Sequence, residues 1–282
     1  KIFLFENVQG LMRSKWTPNG KRGEIFDEVL ETFRKIPNYD VKYKLVYAKD
    51  YGVPQNRPRV LIVGIHQKLG IPSCHSEDAL ENKFLPEPSY DYPNPMDVFS
   101  DLIDKKFVNG GETIKYPRKP QTLWQKEIRK KRNSNKYLKN NELTEHKYSK
   151  HSEKIIEKFS FMIQNNGAIP KELKTKKFSQ KVLPAKWGNK GPTITVTSLP
   201  DDYVHFSQPR SLTVREWARL QTFPDWYQFA GKRTTGGIRR AGNPLEKNYE
   251  REVPKYTQIG NAVPVKLAYE IGKHFKKILK TK

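Results

Sequence analysis

Apolar residues fall into several distinct patterns along this chain. Ile2-Phe3-Leu4-Phe5 is an unbroken apolar run that reads as a buried parallel strand, and Glu6 and Asn7 stand where it stops. A Gly- and Lys-rich loop follows. Over 23–36, Ile25, Phe26, Val29, Leu30 and Phe33 recur at helical spacing and predict an amphipathic helix. Tyr43 to Tyr47 alternates as a strand does, Asp50-Tyr51-Gly52-Val53-Pro54 has the composition of a turn, and Arg59 to Ile65 reads as a second buried strand. Residues 1–65 thus predict a compact α/β unit. In open α/β sheets, ligands sit at the carboxyl ends of strands, which puts Glu6 where chemistry occurs. A helix cap or a turn is the other role for a carboxylate at that point.

The pattern loosens after residue 65. Prolines at 72, 86, 88, 93 and 95 predict a loop-rich connection. Gly191-Pro192-Thr193-Ile194-Thr195-Val196-Thr197-Ser198 alternates as a strand. Thr213 and Glu216 have the spacing of a capping box, opening a helix that Phe223-Pro224 ends. Residues 231–255 form a Gly/Arg/Lys-rich loop. Pro264 suits the first turn of a last helix, with Val265, Leu267, Ala268, Ile271, Phe275 and Ile278 as its apolar positions.

Charge changes this picture most in the middle of the chain. The 282 residues carry a net charge of +23, and the stretch 115–190 holds 21 Lys/Arg against 6 Asp/Glu. A solvated face carries both signs in similar number, so such an excess favours phosphate contact or partial disorder of a basic segment. A polyanionic partner, nucleic acid, is expected. A basic membrane-surface protein is disfavoured, because neither a long apolar run nor an amphipathic N-terminal anchor is present. Trp124, Tyr137, Tyr148 and Trp187 are interleaved with the charge. They can stack on bases, although core packing is the commoner role.

Cys74 is the one cysteine, so no internal disulfide forms, which fits a cytoplasmic setting. Adjacent side chains rarely face each other, so Cys74-His75 is a poor catalytic pair. No grouping of His, Cys and carboxylates has metal-site spacing, and no metal is expected. A start at Lys1, inside an apparent strand, points to a fragment or a processed chain.

Four separated blocks resemble the cytosine-C5 DNA methyltransferases, in that family's own order. They are Glu6-Asn7-Val8, then Tyr51-Gly52-Val53-Pro54-Gln55-Asn56-Arg57-Pro58-Arg59, then Arg210 to Pro224, and finally Gln258-Ile259-Gly260-Asn261-Ala262-Val263. The resemblance spans nearly the whole chain but only the later part of the family pattern. The Phe-x-Gly-x-Gly loop that holds most of S-adenosylmethionine and the Pro-Cys-Gln block with the nucleophile are not in this sequence. Cys74 follows the Glu-Asn-Val block instead of preceding it, so it is not that cysteine.

The resemblance implies an α/β fold: the rear part of a Rossmann-like S-adenosylmethionine-dependent methyltransferase sheet, plus a loop-rich mixed α/β target recognition domain. The expected division is 1–68 for the catalytic part, 69–208 for target recognition, 209–255 for a junction helix and basic loop, and 256–282 for a last helix packing back on the catalytic part. The family adds a cysteine thiolate to carbon 6 of cytosine so that carbon 5 can attack the methyl sulfonium. By resemblance, Glu6 is the acid that serves ring N3. Arg59 contacts the flipped base, and Arg57 either contacts it too or braces the pocket; both would share one face of a strand. Gly260, Asn261 and Ala262 would meet the amino-acid end of S-adenosylmethionine, with Asn261 just ahead of a helix N-terminus. Gln55, Arg57, Thr195, Thr197 and Ser198 would touch DNA, while Arg215 and Arg219 would organise the domain junction. Double-stranded DNA is the implied partner, together with an N-terminal half in the same chain or in a separate subunit, and the implied setting is a bacterial restriction-modification system. The other readings are a subunit of a naturally split methyltransferase and a DNA-binding module without catalysis.

Overall fold

The computed structural model describes residues 1–71, 76–89, 91, 93–174, 180–186, 203–234, 247 and 252–280. The chain divides into two compact units, one of residues 1–92 with 265–282 and one of residues 93–264. The first unit therefore extends past residue 68, and the block 209–255 belongs wholly to the second.

The first unit is built on a three-stranded sheet. Strand β1 (Ile2–Val8) leads through a short 3-10 turn to helix α1 (Glu24–Arg34), then to β2 (Tyr39–Tyr47) and β3 (Pro58–His66). The strand order is β1-β3-β2, and β3 is antiparallel to both neighbours. The expectation of a parallel pairing for β1 is corrected here. β1 and β2 run in the same direction, as a strand–helix–strand crossover requires, but β3 lies between them. β1 is also less buried than its apolar run implied, because one of its sides is a sheet edge: Leu4 is 41% exposed and Val8 52%.

Register sorts the side chains into two faces. Phe3 and Phe5 share a face with Val60, Ile62, Val41 and Tyr43, and pack with Phe26 and Leu30 of α1. Phe3 lies opposite Gly64, where a Cβ would come within 2.0 Å of the Phe3 ring, so only glycine lets that ring lie flat on the sheet. The opposite face carries Glu6, Arg59 and Leu61, with Glu6 paired to Leu61 and therefore diagonal to Arg59. Helix α1 takes Glu24 and Asp27 in its first turn and Arg34 in its last, in accord with the helix dipole.

In the second unit, helices α2 (Pro95–Phe99), α3 (Leu123–Ile128) and α4 (Glu153–Gln164) are joined by long irregular segments. Two-residue strands β4 (Lys181–Val182) and β5 (Tyr203–Val204) pair in parallel. Helices α5 (Val214–Leu220) and α6 (Lys255–Asn261) complete it. Every residue of α5 is buried, a pattern of a helix surrounded by core on all sides. The Thr213–Glu216 capping box forms as expected: the Thr213 hydroxyl accepts from Glu216 N at 3.3 Å, and Thr213 N donates to the Glu216 carboxylate at 2.8 Å. Trp217, Leu212, Leu220, Phe99, Tyr256 and Ile259 form the largest share of the core around it. Tyr148 is buried, whereas Tyr137 is 48% exposed.

The last helix, α7 (Val265–Lys280), belongs to the first unit, where His274 bonds the Lys83 carbonyl at 2.7 Å. Only Leu267 and Ile271 are buried on it, a narrower stripe than the six apolar positions predicted. No helix among the described residues is long and apolar enough to cross a membrane.

Candidate active site

Three of the predicted residues meet in the first unit. Glu6 lies on the last turn of β1 toward its carboxyl end, and Arg59 lies at the start of β3, antiparallel and two positions away in register. Their side chains form an ion pair, with Arg59 Nε 2.5 Å from Glu6 Oε1. Arg59 Nη1 also donates to the Pro58 carbonyl at 2.8 Å, which fixes the plane of the guanidinium. The Arg59 side chain is 8% exposed and that of Glu6 26%. Glu6 Oε1 is buried, while the Glu6 side chain as a whole stays partly exposed.

Arg57 precedes β3 instead of lying on it, so the two arginines are not simply alternate strand positions. Both are nonetheless buried. Burial pushes the Arg57 guanidinium down to about 10; the neighbouring Arg59 charge adds to the drop and Glu6 opposes it. Burial likewise lowers Arg59, with Glu6 countering it by charge and hydrogen bond. Two cations and one carboxylate thus sense one another within a single cluster. Gln55 is fully buried on the same connection between β2 and β3, and the Arg57 carbonyl accepts from Ala48 N at 3.0 Å, closing that connection.

Gly260, Asn261 and Ala262 lie in the second unit. Asn261 is the last residue of α6, so it stands at a helix C-terminus, not just ahead of an N-terminus. The helix-dipole argument for holding a carboxylate there is thereby removed. The Asn261 side chain is exposed, and its amide suits one polar group of an amino-acid ligand. The Ala262 main chain suits it less well: its N–H donates back into α6, to Gln258 and Ile259, and its carbonyl accepts from Gln221 Nε2 at 3.1 Å. Gly260 is buried in α6. Cys74, Trp187, Thr195, Thr197 and Ser198 lie outside the described residues.

Arg215 and Arg219 are core residues of the second unit. Arg219 grips two carboxylates, Asp101 through Nη1 (2.5 Å) and Nη2 (3.1 Å), and Asp225 through Nε (3.0 Å) and Nη2 (2.6 Å). Tyr116 donates to Asp225 at 2.8 Å, Arg129 also pairs with Asp101, and Arg215 bonds the Thr144 and Tyr227 carbonyls. Arg210 forms a two-point pair with Glu216 at 2.7 and 2.8 Å. His146 and His205 are buried beside this pair. Burial is the main cause that pushes them down, to about 4 and about 3. Local spacing could not reveal the network's hub, because Asp101 lies 118 residues from Arg219 along the chain.

The site reading also passed over Trp16, which is 65% exposed on the loop leaving β1. Four cations and no acid between residues 13 and 22 were the available signal.

The profile of the C-5 cytosine-specific DNA methylases matches residues 1–277. Type II methyltransferase M.DdeI of Desulfomicrobium norvegicum is 28% identical over 96% of this chain and 62% of its own length. M.BsuRI of Bacillus subtilis is 31% identical over 96% of the chain and 48% of its own length, and M.MthTI of Methanothermobacter thermautotrophicus 31% over 99% and 66%. The chain therefore spans about half to two-thirds of the length of these relatives. A DNA modification methyltransferase encoded within an E. coli prophage has the same fold, with a TM-score of 0.66 at 20% identity, covering 99% of this chain and 69% of that one. The expected methyltransferase fold class is thus met, and this chain belongs to the C-5 cytosine-specific DNA methylase family.

Proposed function

We propose that this chain is the rear portion of a DNA (cytosine-5)-methyltransferase acting on a flipped cytosine in a specific duplex site, as part of a restriction-modification system. The observation that carries the reading is the Glu6–Arg59 ion pair: a partly exposed acid beside a guanidinium whose own orientation is fixed. Cytosine presents an acceptor at N3 next to an acceptor at O2. The Glu6 carboxyl, in its protonated form, donates to N3 or passes its proton there, and Arg59 reaches toward O2. Arg57 supplies a second buried positive charge that favours electron density moving onto the ring. The four blocks in family order support the same roles.

S-adenosylmethionine supplies the methyl sulfonium when bound. In this chain the exposed amide of Asn261 is the group suited to its amino-acid end, and most of the cofactor site belongs to sequence outside this chain. The nucleophilic cysteine also belongs to that sequence, whether in the same polypeptide or in a separate subunit. On this reading the chain alone transfers no methyl group.

The test is tritium transfer from labelled S-adenosylmethionine to duplex DNA. The chain by itself is expected to be inactive, and activity is expected once the segment with the Phe-x-Gly-x-Gly loop and the Pro-Cys block is supplied. In the completed enzyme, Glu6→Gln is expected to lower turnover by about 100-fold or more while leaving duplex affinity nearly unchanged. Equal losses in turnover and affinity would remove the N3 role of Glu6.

A further inference from the structure

The loop leaving β1 is built around a side chain that it holds outward. Trp16 is more exposed than any other aromatic side chain among the described residues, at 65%. It is not loosely attached. Its backbone N–H donates to Glu24 Oε1 at 2.6 Å, and its indole Nε1 donates to Glu28 Oε2 at 2.9 Å. Glu24 and Glu28 are one turn apart on α1, so the indole edge is tied to the helix while its faces stay open.

The rest of the loop is shaped to allow this. Glu24 Oε2 also accepts from Lys21 N at 3.1 Å. That carboxylate occupies the space where a Cβ on residue 20 would sit, 2.1 Å away, so Gly20 is required for the carboxylate to reach into the loop. Ser14 closes the base: its hydroxyl donates to the Gly10 carbonyl at 2.9 Å, and its own carbonyl accepts from Gly23 N at 3.2 Å. An exposed tryptophan costs hydrophobic free energy unless something covers it. Fixing one in place removes the entropy cost of ordering it upon contact.

The surrounding charge says what covers it. Arg13, Lys15, Lys21 and Arg22 are exposed on the same loop, and residues 13–22 contain no acid. Two carboxylates of α1, Glu24 and Glu28, are occupied in holding Trp16. Planar rings beside regularly spaced anions match an aromatic plate ringed by cations. The loop also departs from the same strand end that carries Glu6.

We propose that residues 13–22 form a DNA-contact loop, in which Trp16 packs on a base or sugar laid open next to the flipped cytosine and the four cations meet flanking phosphates. This rests on the reading of DNA as the substrate, and adds a contact element outside the four family blocks.

The experiment uses the full chain and a fluorescein-labelled mixed-sequence duplex with one mismatched cytosine, read by anisotropy and by intrinsic tryptophan fluorescence. Trp16→Ala is expected to weaken binding about tenfold, with Trp16→Phe recovering part of the loss. Duplex-induced quenching is expected with the unaltered chain and should fall measurably in Trp16→Phe, by the share that Trp16 contributes beside the other four tryptophans. Lys21→Gln with Arg22→Gln should lower the slope of log K against log salt by about two. Unchanged affinity and quenching in the Trp16 variants would overturn the loop's role and leave DNA as the substrate. No duplex binding by the unaltered chain would overturn both.

Discussion

The two units use the same pair of residue types, an arginine and a carboxylate, in opposite ways. In the first unit Arg59 and Glu6 meet at a sheet face where the carboxylate is still 26% exposed. In the second, Arg219, Asp101 and Asp225 are each wholly buried, and nearly all of the Arg219 guanidinium is matched to a carboxylate oxygen or a carbonyl. A buried charge must be fully paired, because its desolvation cost is several kcal/mol. The Glu6 carboxyl, which is partly exposed, is less strictly bound by that requirement. On the proposed reading, incomplete pairing is what leaves Glu6 able to meet a ligand.

The sharpest way to break that contrast is to remove the buried arginine. Arg219→Ala leaves Asp101 and Asp225 without their shared partner and is expected to cost roughly 3–5 kcal/mol of stability, read by urea denaturation. Arg59→Ala is expected to cost less, roughly 1–3 kcal/mol, because the Glu6 side chain is partly exposed and water replaces part of the lost pairing. Equal losses would show that the two pairs do the same work.

Acid should also act on the second unit first. His146 is pushed down to about 4 and His205 to about 3 in the folded chain, against about 6.5 unfolded. The unfolded chain therefore binds protons first as pH falls. Stability is fully present above about pH 6.5 and is lost between there and about pH 4, with a slope approaching about 1.4 kcal/mol per pH unit for each histidine. Glu216, held well below the usual carboxylate range by Arg210 against the opposing effect of burial, adds a further loss below its unfolded value near 4.5. Denaturation midpoints measured from pH 8 to pH 4 check this, and His205→Phe should make the slope shallower.

A smaller effect tests the helix that carries the network. Thr213→Ala removes the cap of α5 and the hydroxyl bonded to His146 at 2.9 Å, and is expected to cost about 1–2 kcal/mol. A loss of only a few tenths, from the same denaturation curves, would mean that core packing alone sets α5.

Much of the first unit was legible in the sequence because its elements are local. The α1 periodicity and the apolar run of β3 depend on residues within a few positions of one another, as does the Thr213–Glu216 box of the second unit. Glu6, Arg57 and Arg59 were legible as candidates because short blocks carry them. The parallel reading of β1 failed because pairing partners are chosen across the chain, and an apolar run carries no record of which neighbour it bonds. Asn261 was misplaced for a related reason: Pro264 signals the start of α7 but not the short helix that ends just before it.

The sequence by itself determined the family, the element types and the candidate acid and arginines, since these reside in local spacing and in four ordered blocks. Only the tertiary structure decided which charges are buried, and which carboxylates Arg210 and Arg219 are paired with. Burial is a property of what surrounds a side chain on every side, and residues as distant in sequence as Asp101 and Arg219 supply it.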